Sequence, residues 1–366
     1  MIILNNENVS SRSGPAKSIN LLRSKLFKRK KYTYCFFGKN FFEYDLIVNN
    51  KNYKTNFLVI LKLFLINKKI YINGVFSIVF CVLPLLIGFF VKKKIIISPR
   101  GQIAPETLIK KKYLKLFYFN FLYLIQKYSA SKIFWLVTSI REKNFLLYFI
   151  NSQNLDITIV DNLNDLSVKK LKSIKKNKKE LKLFYFSNLT KKKNLLETID
   201  IIKACRNKKI KLDIYGKIID HSYFKKVLSE IDNCLNINYK SYISENKEME
   251  KIFLNYHLLI HNSLGENYGH ILVEAMAHGI PFISNDTHPW VDIDIDLEGF
   301  ISPLNLIYQQ SEMINYLYEI DNKKYQKYRK KFFNFYKNKI YFNEKKRLNR
   351  YSEFFKKVDK YKFAKK

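Results

Sequence analysis

The chain has 366 residues, 47% of them hydrophobic and 16% aromatic, which is enough apolar material for two ordinary cores and unlike a disordered or fibrous chain. Its 66 basic and 31 acidic side chains leave a formal charge of +35, a balance that by itself points to nucleic acid, anionic lipid or an anionic substrate. Lysine far outnumbers arginine, and Asn, Ile, Phe and Tyr abound, so a solvated lysine surface produced by codon bias accounts for the same charge. Cys35, Cys81, Cys205 and Cys234 are scattered, without a C-x-x-C pair or a His at ligand spacing, which argues against a zinc site and against a disulfide framework.

In chain order, the first residues lack the basic start and long apolar run of a secretory signal, so a cytoplasmic protein is expected. β-rich runs at 1–4, 57–60, 69–73, 95–98 and 134–137 alternate with helical stretches, and a second series follows at 181–186, 211–215, 237–241, 258–262 and 281–284. That alternation predicts an α/β chain in which two parallel sheets are each covered by helices on both faces. The lysine-rich tail of 151–180 places a junction between them, giving expected domains at 1–160 and 161–325, with helices at 326–366 packing across the junction. Ligands of such sheets bind beyond the C-terminal strand ends, so a cleft between facing domains is expected to hold the chemistry.

Residues 75–91 (VFSIVFCVLPLLIGFFV) are almost uninterrupted apolar and are followed by Lys92, Lys93 and Lys94. Pro84 in the middle, a length at the short end for a bilayer, and a strand resuming at Ile95 favour a buried or membrane-touching helix over a true span.

The most informative segment is ENYGHILVEAMAHGIPFISNDTHPW, residues 266–290, which reads as polar loop, helix, glycine and strand. Gly269 is placed to open the helix and Gly279 to close it, and the free amides at its start make an anion site suited to a diphosphate. Glu266 lies in the loop and Glu274 eight positions later in the helix. Ionised carboxylates accept hydrogen bonds from paired hydroxyls, so one suits a ribose and the other a hexose. An ordinary helix surface is an open alternative, because His270 and Glu274 are four apart and able to pair.

This stretch resembles the E-x7-E signature of glycosyltransferase family 4, a large group with the GT-B fold of two Rossmann-like domains. LKLFYFSNLTKKKNLLETID (181–200) is similar to the family's strand, polar loop and lysine at the start of the C-terminal domain, and LDIYGKIIDHSYF (212–224) to its next strand and turn. IIISPRGQIAPETL (95–108) resembles an N-domain segment of members that build bacterial surface polysaccharides, and the matches run in order from about Gly14 to beyond Trp290. The resemblance implies a nucleotide-sugar donor, a glycan or lipid-linked glycan acceptor, retention of anomeric configuration, and neither a dedicated metal nor another cofactor. It further implies that Glu274 holds the donor ribose, that Glu266 contacts the donor sugar near the reacting centre, and that Lys193 neutralises the diphosphate. Asn267, Tyr268, Gly269 and His270 fall among the donor-binding positions. One departure is Asn188, which stands where the family usually has an arginine beside the diphosphate, removing a contact worth about 1.5–3 kcal/mol. Another cation takes its place, or donor binding is weaker, or activity has been lost.

In the first half, Gly14 and Pro15 precede an apparent helix, as a permissive loop lining the cleft or as an ordinary turn. Arg100 and Gly101 end the strand at 95–98, where a guanidinium suits a phosphate of a lipid-diphosphate acceptor or of the donor, a structural salt bridge being the competing account. Thr138, Ser139 and Glu142 resemble the family's TSxxE segment, in a positioning role.

Other classes were weighed against this one. A basic nucleic-acid-binding protein fits the charge, but no helix-turn-helix, zinc finger or RNA-binding signature is present, so nucleic acid is not an expected partner. A nucleotide-sugar epimerase or an inverting transferase shares the architecture, and Asn188 raises an inactive scaffold. The resemblance implies a hexosyltransferase of surface polysaccharide synthesis (lipopolysaccharide, O-antigen or capsule), and the apolar 75–91 run beside three lysines, with the overall charge, predicts that it is held peripherally at the anionic inner face of the cytoplasmic membrane.

Overall fold

A computed structural model describes residues 1–5, 14–26, 33–36, 45–47, 53–107, 112–150, 155–164, 166, 171–232, 234–243, 246–295 and 299–363. The chain divides into two compact units: Met1–Asp165 together with Glu344–Lys366, and Leu166–Asn343.

The first unit runs β1 (Ile2–Asn5), α1 (Gly14–Leu26), β2 (Thr33–Phe36), β3 (Asp45–Ile47), α2 (Tyr53–Ile66), β4 (Lys69–Asn73), α3 (Leu83–Phe90), β5 (Lys94–Ser98), α4 (Lys112–Tyr128), β6 (Lys132–Val137), α5 (Ile140–Ile150) and β7 (Asp156–Ile159). Its seven strands are all parallel, in the order β3-β2-β1-β4-β5-β6-β7. Successive residues of a strand point to opposite faces, and here both faces are covered, which is why the strands read as continuous apolar runs. Ile70, Ile72, Ile95 and Ile97 pack beneath side chains of α2 to α5, while Tyr71, Ile96 and Phe134 pack beneath α1 on the other side.

The run at 57–60, expected as a strand, is helical and lies inside α2. The apolar residues continue without a turn through Leu61, Leu63, Phe64 and Ile66, a length that a helix accommodates and a strand does not. Of residues 75–91, those from 78 to 90 are helical: a π-helical turn, Ile78–Val82, leads directly into α3. Pro84 is the second residue of α3 and follows the π-helical turn, an irregularity of the kind that accommodates a missing amide within a helical run.

The second unit runs β8 (Lys182–Phe186), α6 (Leu195–Ala204), β9 (Lys211–Tyr215), α7 (His221–Ile231), β10 (Ile237–Ser241), α8 (Asn246–Asn255), β11 (Leu258–His261), α9 (His270–Ala277), β12 (Phe282–Asn285), β13 (Ile301–Ser302), α10 (Ile307–Glu319) and α11 (Asn322–Phe335). Its six parallel strands are ordered β10-β9-β8-β11-β12-β13, so the winding reverses between β8 and β11. A crevice at the C-terminal ends of two such strands is where doubly wound sheets take ligands.

Of the segment 326–366, the part up to Asn343 belongs to the second unit, and the last helix, α12 (Glu344–Lys360), belongs to the first. Tyr351, Phe354 and Val358 of α12 complete the core over Ile3, Tyr71, Ile96, Phe134 and Leu136. Its charged side chains pin it there, Lys357 to Asp156 at 2.5 Å and Glu344 to Lys25 at 2.7 Å.

Candidate active site

At the reversal point of the second sheet, the loops after β8 and β11 are tied together. Leu264 donates its amide to the Lys192 carbonyl at 2.8 Å, and the Ser263 hydroxyl reaches the same oxygen at 3.2 Å. The loop after β12 adds a third tether: the Thr287 hydroxyl and the Asn285 amide donate to the Ser263 carbonyl at 2.6 and 2.9 Å, and Glu266 donates its backbone N–H to the Thr287 carbonyl at 3.0 Å. Three strand ends therefore fix the backbone of Glu266.

Lys193 ends a short turn, Lys191–Lys193, whose carbonyl accepts from the buried Tyr185 hydroxyl at 3.0 Å. Its ammonium forms an ion pair with Glu266 Oε1, and the same oxygen accepts from His261 Nε2 at 2.8 Å. Burial by itself pushes the Glu266 carboxyl up, but the Lys193 ammonium and the His261 hydrogen bond outweigh it and hold the carboxyl well below the usual range. Glu266 is therefore an anion in a nearly dry setting. His261 is 1% exposed, stacks against Tyr185, and has no hydrogen-bond partner at Nδ1 among the described residues. It was not among the residues singled out from the sequence, where it stands only as a histidine closing an apolar strand five positions before Glu266.

Asn267, Tyr268, Gly269 and His270 form the turn into α9. Trp290 Nε1 donates to the Tyr268 carbonyl at 2.5 Å and the two rings meet edge-on at 5.2 Å, which holds the turn from the β12 side. Gly269 has φ +69°, a left-handed conformation that costs a residue with a Cβ, and Gly279 ends the helix at φ +62°. Both are where the sequence put them. Glu274 is partly exposed in α9, and its carbonyl accepts from His278 Nδ1 at 2.8 Å. The C-terminal carbonyls at His278 and Gly279 receive the fully buried Arg329 guanidinium, through NH2 and Nε at 3.0 Å each.

Asn188 is exposed in the loop after β8. The backbone beside it pairs with the loop after β9, Leu189 donating to the Lys217 carbonyl at 2.8 Å, which brings the exposed residue Lys217 to the neighbourhood of Asn188.

The remaining sequence-selected residues belong to the first unit. Gly14 opens α1. Arg100 is buried at φ +53°, and its guanidinium donates to Asn73 Oδ1 at 3.1 Å, Asn162 Oδ1 at 2.6 Å and the Tyr71 hydroxyl at 2.8 Å. These partners are neutral oxygens, so it anchors a hydrogen-bonded network at the C-terminal ends of β4 and β5. The Gly101 amide and the Thr138 amide and hydroxyl all donate to the buried Glu142 carboxyl, which ties the end of β5 to the end of β6. Among the described residues, no group of three or more His, Cys, Asp or Glu is arranged to hold a metal ion.

Residues 168–334, nearly the whole second unit, match the family described as "Glycosyl transferases group 1". The chain is similar over 119 residues, at 26% identity, to an uncharacterized 41.2 kDa protein in the cps region of Klebsiella pneumoniae, a match spanning 32% of this chain and 31% of that one, so under a third of the curated relative's length. Among solved structures, Anabaena Alr3699/HepE in complex with UDP and glucose superposes with a TM-score of 0.75 over 98% of this chain and 100% of that one, at 14% identity. WaaG, a glycosyltransferase involved in lipopolysaccharide biosynthesis, superposes with a TM-score of 0.64 over 92% and 95% of the two chains, at 9% identity. The chain thus has two parallel α/β units with the GT-B fold of these structures, and its second unit matches the group 1 glycosyltransferases.

Proposed function

We propose that the protein transfers a hexose-type sugar from a nucleoside-diphosphate sugar, with retention of anomeric configuration, to a glycan or lipid-linked glycan in the synthesis of a surface polysaccharide. The observation that carries the reading is the Lys193–Glu266–His261 cluster at the reversal of the second sheet, four residues ahead of the first residue of α9. In the proposed reaction the bond between the anomeric carbon and the diphosphate breaks, charge builds on the leaving oxygen, and the acceptor hydroxyl bonds to the anomeric carbon from the same face, passing its proton to the departing phosphate oxygen. Lys193 and the amides that open α9 supply fixed positive potential for that charge without reorganisation. Glu266, already ionised, accepts hydrogen bonds from sugar hydroxyls, and Glu274 does so from the ribose. Lys217 stands in for the arginine that Asn188 replaces. The UDP complexes of the Anabaena structures and the genomic setting of the Klebsiella relative support this choice of donor and product.

A lipid-linked acceptor implies work at a membrane surface, on the cytoplasmic side. Among the described residues no helix is long and apolar enough to cross a bilayer, so the proposed attachment is peripheral.

The test is a thermal-shift panel of UDP-, GDP- and dTDP-sugars on the wild type and on Glu274→Ala. One donor should raise the melting temperature of the wild type alone, and the transferred sugar should keep the donor's anomeric configuration by NMR. A wild type that responds to no nucleotide sugar would contradict the reading. An inverted product would leave the donor site and remove retention.

A further inference from the structure

Three neighbouring helices of the first unit, α2, α3 and α4, pack side by side on one face of the sheet, with Phe64, Leu85, Phe119 and Leu122 turned into the core. Their outer sides are not polar. Between Leu58 and Tyr128 they and the π-helical turn expose twelve large apolar side chains, among them Ile78 (79% exposed), Phe90 (82%), Tyr113 (85%) and Phe117 (73%). Single exposed apolar residues are ordinary, but a set this dense on adjacent helices marks a surface that is covered in use.

Charge identifies the cover. Residues 53–128 contain thirteen Lys or Arg and one acidic residue, Glu106, which Arg141 engages at 3.6 Å; Arg100 and Lys93 are buried and Lys69 and Lys94 are held by Asp359, while Lys62, Lys68, Lys92 and Lys127 are exposed. The exposed residue Lys127 holds its ammonium over the ring of Tyr128, and three lysines, Lys110, Lys111 and Lys112, lead in the sequence into Tyr113. A second copy of the same face would set like charges against like, which disfavours self-association. An anionic bilayer satisfies both properties at once, because its headgroups attract the lysines while its acyl boundary receives the aromatic and aliphatic side chains.

We infer that the outer face of α2, α3 and α4 is a docking surface for anionic phospholipid headgroups, with Ile78, Phe90, Tyr113 and Phe117 entering the acyl boundary and Lys127 at headgroup level. The inference deepens the membrane part of the proposed function and rests on it for its purpose. The face it names is wider than the 75–91 run, since α2 and α4 contribute most of the exposed apolar residues.

Flotation of the purified full chain with phosphatidylglycerol–phosphatidylcholine vesicles and with pure phosphatidylcholine vesicles, without nucleotide sugar, tests it. Binding should need the anionic lipid and weaken with salt. Tyr113→Ser combined with Phe117→Ser should weaken it by about tenfold or more, as should the charge reversal Lys127→Glu, whereas Tyr308→Ser, at an exposed tyrosine of the second unit, should leave it unchanged. All of these positions are exposed, and circular dichroism checks that each variant folds. Absence of binding to anionic vesicles at low salt, binding indifferent to both face variants, or a dimer that Phe117→Ser dissociates would overturn the inference. Because no sugar donor is present, such a failure leaves the glycosyl-transfer reading standing, and a failed donor panel leaves vesicle binding to be judged by itself.

Discussion

Glu266 stays ionised where water scarcely reaches, and only Lys193 and His261 make that tolerable. Neutralising it with Glu266→Gln should lower kcat by about 100-fold or more, as expected when a preorganised charge near the reacting centre is lost, with little loss of folded structure by circular dichroism. A folded-state carboxyl held below its unfolded value contributes stability above the ordinary carboxylate range and loses it as pH falls through the folded value, so this contribution disappears only in strong acid. At the departure from the family pattern, Asn188→Arg adds a second cation beside Lys217 and should tighten donor binding by about tenfold, read by calorimetry. The positions of Glu266, Glu274 and the two glycines around α9 were legible because each occupies a fixed place in a strand–loop–helix pattern, whereas Lys193 was picked out only through the family resemblance. His261 was not, because a histidine at a strand end has no spacing rule of its own until the fold shows which carboxylate it meets. Arg100 was legible as a strand-end cation, but its partners come from residues 71, 73 and 162, and no local pattern reveals them.

The helix α9 has only eight residues and is held at both ends from outside. Its entry is a left-handed Gly269 braced by Trp290, and its exit is capped by Arg329 from α11. Arg329→Met should strip two charge-assisted hydrogen bonds from buried carbonyls, costing about 3 kcal/mol and lowering the melting temperature of the second unit by roughly 10 °C. Donor binding should weaken in the same variant, since the amides that open α9 depend on the axis that Arg329 steadies, and thermal shift with and without donor separates the two effects. At this scale most elements were read from periodicity, and four strands were missed: β2 and β7 have four residues, β3 three and β13 two, the last two fewer than any alternation can declare. The run at 57–60 was misread because four β-favouring residues carry no sign of the helix until the following turn is counted with them.

Across the whole molecule, acid sensitivity follows from histidines kept neutral by burial. Burial holds His257 down to about 4 and His288 down to about 3, the latter with Nδ1 accepting from the Trp290 amide at 3.0 Å and Nε2 on the Ser284 hydroxyl. Both values lie below that of an unfolded histidine, so the unfolded chain takes up protons first as pH falls. Stability should therefore decline from about pH 6.5 downward, by up to about 1.4 kcal/mol per pH unit for each group, and urea midpoints measured between neutrality and pH 5 will show it. The first unit is assembled from both ends of the described chain, its second face completed when α12 joins α1. A ribosome has thus to finish the entire second unit before Tyr351, Phe354 and Val358 emerge, and the unit that is begun earlier of the two is the later to be sealed.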